Sequence, residues 1–146
     1  MKIPIFTDDP GWHGEQLKKA FYLRGVEAVF VSLQQCVIDL SGQEPTIVIP
    51  GFNDLPKAAF VRGVSGGTLQ QIITRLNVLH MLAVLGVRVY NDAKAIERTV
   101  DKGLTSFLLQ KNGVATPNTW VCESRAAAQS IREYAAQTQQ KLVIKP

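Results

Sequence analysis

The chain has 146 residues, 46% of them hydrophobic and 19% charged, a composition that supports a packed core and excludes a disordered polypeptide. That length makes one ordinary domain, or one domain and a piece of another, and it needs no disulfide or metal to fold. The net charge of +4 is uneven: residues 1–54 carry a net −3 and residues 55–146 a net +7. A basic second part points to an anionic partner, but its Lys and Arg stand singly, which argues against nucleic acid. Cys36 and Cys122 build no disulfide framework and match no zinc spacing. No apolar run reaches the ~18 residues of a membrane span. The start lacks a signal peptide's apolar region, meeting Asp8 and Asp9 almost at once. A cytoplasmic protein without a membrane partner is expected.

In chain order, Lys2–Phe6 reads as a buried strand ended by Thr7-Asp8-Asp9-Pro10-Gly11. His13 to Arg24 follows a helical period, with Gly25 as its stop, and Ala28–Val31 is the next strand. Such a unit makes a parallel pair with a right-handed crossover. Thr46–Ile49 reads as a further strand, and Ala59–Arg62 as another before the turn Gly63-Val64-Ser65-Gly66-Gly67. A strong helix then places Leu69, Ile72, Ile73, Leu76, Leu79 and Ala83 on one apolar stripe, between Thr68 and Gly86. Val87–Tyr90 is a strand. The fold class is therefore α/β, a Rossmann-like, open, mostly parallel sheet.

From Asn91 the pattern changes. Asn91 or Asp92 caps a short helix to Arg98, and Asp101 caps a second one that ends at Gly113. Trp120–Cys122 reads as a strand, Arg125–Gln137 as an Ala-rich helix begun by Ser124, and Lys141–Pro146 as a final strand. A βαβ fragment of this size buries its own core poorly. The expectation is two parts, residues 1–92 and 93–146, with the second incomplete.

Four residues stand out as candidates. Arg62 ends a buried strand where α/β sheets bind ligands, so it contacts substrate or pairs with an acidic neighbour. His13 lies beyond the first strand, either as an acid/base group or phosphate contact, or simply as a helix-start residue. Lys145 closes a Val-Ile run, where its ammonium must leave the apolar layer or find an anion such as phosphate. Lys102, beside the capping Asp101, reaches the same anion or is solvated. The glycine turn invites a phosphate-loop reading, yet it fits neither dinucleotide nor P-loop pattern and also reads as a tight turn.

Arg62, Val89-Tyr90-Asn91, Asp101-Lys102, Leu108-Leu109, Gly113, Thr116-Pro117-x-Thr119 and Val143-Ile144-Lys145-Pro146, in that order, resemble the front of an ATP-grasp ligase of the RimK-like α-L-glutamate ligase group. The resemblance is strongest from Arg62 onward. It implies that residues 1–92 are a pre-ATP-grasp domain and that 93–146 are linker helices and the start of the ATP-grasp domain. It also implies that Lys102 and Lys145 contact ATP phosphates. The implied reaction activates a carboxylate as an acyl phosphate for attack by an amine, with glutamate as the amino acid and ATP and Mg2+ as cofactors. Partners would be a small-molecule or polypeptide carboxylate acceptor and the amino acid. The family's glycine-rich ATP loop, adenine hinge and metal-binding acids come later than Lys145. This chain is thus expected to be the inactive front of a longer enzyme, with no catalytic or metal-binding residue of its own and no tightly bound cofactor. The competing expectation is a stand-alone Rossmann-like binding module whose last part drives homo-oligomerisation.

Overall fold

Ile3, Pro4, Ile5, Phe6 and Thr7 are buried in succession, a run that only a strand covered on both faces tolerates. The first four belong to β1 (Lys2–Phe6), and Thr7 follows it, in a computed structural model that describes residues 1–144. α1 (Gly11–Tyr22) follows, starting two residues before the expected His13, and ends ahead of Gly25 at φ +70°. Gly14 lets this helix approach the sheet, since a Cβ there would stand 3.2 Å from the Phe30 ring. β2 (Glu27–Val31) then pairs in parallel with all of β1, from Lys2 opposite Glu27 to Phe6 opposite Val31.

A single 3-10 turn (Leu33–Gln35) leads into β3 (Val37–Asp39) and β4 (Thr46–Val48). These two form an antiparallel ribbon of their own. The run at Thr46–Ile49 is thus a strand, but outside the main sheet. Its β-branched residues are buried one by one rather than together: Ile47 and Ile49 enter the core while Val48 is exposed.

β5 (Ala58–Val61) lies beside β1 on the side away from β2, and α2 (Leu69–Val84) carries the chain to β6 (Arg88–Tyr90). The main sheet is four-stranded and wholly parallel, in the order β2-β1-β5-β6. The β1–β5 ladder begins only at Ile5 opposite Phe60. Phe6 O accepts from Arg62 N, so the even residues of β1 turn their backbone toward β5, and Pro4 has no N–H to offer there.

One face of the sheet packs Ile3, Ile5 and Ala28 against Leu17 and Phe21 of α1. The opposite face gathers Phe6, Val31, Ala59 and Val61 with Val78, Leu79 and Leu82 of α2 and with Ile47 and Ile49. α2 is rotated from the expected stripe. Arg75, Val78, Leu79 and Leu82 are buried, whereas Leu69 and Ile73 are 69% and 45% exposed. Its start has a full capping box: Thr68 Oγ1 accepts from Gln71 N at 3.3 Å, and Thr68 N donates to Gln71 Oε1 at 2.9 Å.

α3 (Ala93–Val100), α4 (Lys102–Lys111) and α5 (Arg125–Gln137) complete the elements. Asp92, Asp101 and Ser124 accept from Ala95 N, Leu104 N and Ala127 N respectively, the side-chain caps that their types favour. The chain divides into two compact units, Met1–Glu97 and Arg98–Pro146. Trp120–Cys122 is not a strand, and neither are residues 141–144, because no described segment pairs with either run. Lys145 and Pro146 lie outside the described residues.

Leu79→Ala, at a fully buried position of α2, lowers the unfolding free energy by about 2–5 kcal/mol. Leu69→Ala, on its exposed side, changes it by no more than about 0.5 kcal/mol. Chemical denaturation of the two variants checks the rotation of the helix, and equal losses would contradict it.

Candidate functional site at the carboxyl edge of the sheet

The chain leaves β1 through α1 to reach β2 on one side, and leaves β5 through α2 to reach β6 on the other. The sheet order therefore reverses between β1 and β5. The carboxyl ends of these two strands mark a topological switch point, where open α/β sheets bind their ligands in the crevice beside the strand ends. The segments at this edge are Thr7–Gly11 after β1, Ser32–Gln35 after β2, and Arg62–Gly67 after β5.

Asp8 ties the three together. Ser32 Oγ donates to Asp8 Oδ1, and Gln34 Nε2 donates to Ser65 Oγ at 3.2 Å. Hydrogen bonds from Ser32, then Ser65 and Gln34, hold the Asp8 carboxyl below its ordinary value, with the Arg75 charge helping and partial burial opposing. Arg75, only 6% exposed, donates from Nη1 to Ser65 O at 2.7 Å and Gly66 O at 2.8 Å. Asn91, just past β6, donates from Nδ2 to Val61 O at 3.1 Å. The network that joins Asp8, Ser32, Gln34, Ser65 and Arg75 escaped sequence reading. The available signal was Arg75 itself, a charge three and four residues before Val78 and Leu79.

The glycine turn does not have the form of a phosphate cradle. The capping box takes up the Thr68 and Gln71 N–H groups, and the Ser65 and Gly66 carbonyls face a guanidinium. A Cβ on Gly67 would stand 2.7 Å from Gln71 Oε1. The turn is filled by the protein's own side chains.

Arg62 lies at the carboxyl end of β5, its N–H donating to Phe6 O at 2.9 Å. Its side chain is exposed and forms no ion pair with a carboxylate among the described residues. His13 sits in the first turn of α1 at the same edge, exposed, its ring 5.0 Å from that of Trp12 in an edge-on arrangement. The fold thus brings Arg62 and His13 to one edge of one sheet. Lys102 is the first residue of α4 in the other unit, where its carbonyl accepts from Ser106 Oγ at 2.9 Å. Lys145 falls outside the described residues.

A depression of about 640 Å3 lies at the opposite, amino edge, lined by Met1, Lys2 and residues 51–57. Lys2 is occupied there by the molecule itself, donating to Gly51 O at 2.9 Å and standing 5.0 Å over the Phe52 ring. Among the described residues no three His, Cys, Asp or Glu gather to hold a metal ion. No helix among them is long and apolar enough to cross a membrane.

Residues 1–96 match the family described as the RimK PreATP-grasp domain. A probable α-L-glutamate ligase of Teredinibacter turnerae is 28% identical over 120 residues, covering 82% of this chain and 39% of that protein. The tetrahydromethanopterin:α-L-glutamate ligase of Methanosarcina acetivorans is 29% identical over 134 residues, covering 87% and 41%. The chain therefore spans about two-fifths of the length of these relatives. Among solved structures, the RimK domain ATP-grasp protein of Sphaerobacter thermophilus superposes with a TM-score of 0.61 at 25% identity, covering 94% of this chain and 46% of that one.

Because the native contacts favour ionised Asp8, its contribution to stability is complete above the ordinary carboxyl value of 3.8 and is lost as pH falls through the lowered native value. The stability advantage of the natural protein over Asp8→Asn should shrink between about pH 5 and about pH 2 in thermal melts. A constant difference across that range would contradict the assignment.

Proposed function

Because the chain belongs to the RimK PreATP-grasp domain family, matched over residues 1–96, we propose that it is the front part of an ATP-dependent carboxylate–amine ligase that adds glutamate. The observation that carries this reading is the alignment with α-L-glutamate ligases, which runs beyond the first unit and along most of the chain. In the proposed reaction a carboxylate takes the γ-phosphoryl group of ATP, releasing ADP and forming an acyl phosphate. The amine of glutamate then attacks the acyl carbon, phosphate leaves, and an amide remains. Residues 1–92 act as the pre-ATP-grasp domain and 93–146 as the beginning of the nucleotide-binding part. The enzyme works in the cytoplasm on a small-molecule or polypeptide acceptor.

Each candidate residue has a role in this reading. Lys102 and Lys145 contact ATP phosphates, a task suited to a flexible ammonium. Arg62 binds a substrate carboxylate at the β1/β5 crevice, and what supports this is its exposed, uncompensated guanidinium. His13 is a second substrate contact at that edge. Magnesium neutralises phosphate charge in such transfers. The described residues do not assemble a set of ligands for it. The 146 residues by themselves release no ADP in this reading.

The test is glutamate-dependent ADP release by the ligase that carries this chain. Lys102→Ala and Lys145→Ala should each raise the apparent KM for ATP about tenfold or more, the effect of losing one charge-assisted contact. Arg62→Ala should do the same to the KM for a carboxylate substrate while leaving that for ATP alone. Unchanged ATP dependence in both lysine variants, or ADP release by the purified 146 residues, would contradict the reading.

A further inference from the structure

Arg75 is a charge on the buried stripe of α2, where an aliphatic side chain would pack at lower desolvation cost. Its place is explained by what it holds. Nη1 donates to two successive carbonyls, Ser65 O at 2.7 Å and Gly66 O at 2.8 Å. A Cβ on Gly67 would come within 3.2 Å of that same Nη1, so the guanidinium lies directly against the turn. Gln34 grips the turn again through Ser65 Oγ. At the upstream end, Arg62 N and Gly63 N both donate to Phe6 O, at 2.9 and 3.3 Å. A segment with glycines at 63, 66 and 67 has wide conformational freedom by itself, and here it is fastened at both ends.

We propose that Arg75 is a positioning residue: it holds the Gly63–Gly67 segment against the sheet so that Arg62, at the head of that segment, stays at the β1/β5 crevice as a substrate-binding cation. The purpose given to the clamp rests on the carboxylate-binding reading of Arg62, whereas the clamp itself does not. The guanidinium is suited to this because Nη1 carries two N–H groups, one for each carbonyl, and its delocalised, weakly hydrated charge is buried at lower cost than an ammonium.

Residue-resolved amide hydrogen exchange on the whole chain, with the Nε–H resonance of Arg62 as a side-chain signature, tests the proposal. In Arg75→Met, exchange at Gly63 and Thr68, whose N–H groups are bonded to Phe6 O and Gln71 Oε1 at the two ends of the segment, should speed up about tenfold or more, with the Arg62 signal narrowing to that of a mobile side chain. Exchange in β1 and β2 should stay unchanged. Arg75→Lys, which keeps a donor, should recover part of the protection. If Arg75→Met does not fold, Gly67→Ala gives the same local acceleration by pressing on Gln71 and Arg75. Uniform acceleration throughout the sheet, or unaltered exchange at Gly63 and Thr68 in a folded variant, would overturn the clamp. Local acceleration together with an Arg62→Ala ligase of unchanged carboxylate KM would instead overturn the ligand reading and leave the clamp without that purpose.

Discussion

The pairing of β1 with a neighbour on each side is the constraint on which the first unit depends. Its amino half is tied mainly to β2, since Pro4 has no donor for β5, and the second ladder closes at Ile5 and Phe6. At the carboxyl end the fully buried Phe6 turns its carbonyl to Arg62 and Gly63, while Thr7 N donates to Val31 O at 3.0 Å. The ends of β2 and β5 are therefore registered on two consecutive residues, the last of β1 and the one after it. With the helices of the two halves on opposite faces, that register sets Arg62 at the carboxyl edge, where the sheet order reverses.

The polar groups at this edge divide between construction and availability. Asp8, Ser32, Gln34, Ser65 and Arg75 are taken up with one another, drawing the loops after β1, β2 and β5 together. Arg62 and His13 are left over from that arrangement. An uncompensated cation at the switch point suits the proposed binding of a carboxylate, and the relatives of this chain are named for ligating glutamate.

Much of this was legible before any coordinates. Unbroken apolar runs marked β1 and β5, Thr68 and Gly86 bracketed α2, and Ser124 fixed the start of α5. What escaped depends on partners distant in sequence. β3 has three residues and is defined only by pairing with β4. The face of α2 could be read two ways, since apolar residues run around much of its girth, and burial chose the stripe that contains Arg75. Trp120–Cys122 has a strand's composition without a strand's partner. The ordered motifs from Arg62 onward carried the family, but the network around Asp8 left no trace at any fixed spacing, because it is made by the edge of the sheet rather than by a motif.

Chemical-shift mapping of the isotopically labelled chain during titration with L-glutamate tests the central claim most directly. The account predicts that the shifts gather on residues 7–13 and 62–65, around the carboxyl ends of β1 and β5. Shifts centred instead on residues 51–57 at the amino edge, or none at any residue, would contradict it.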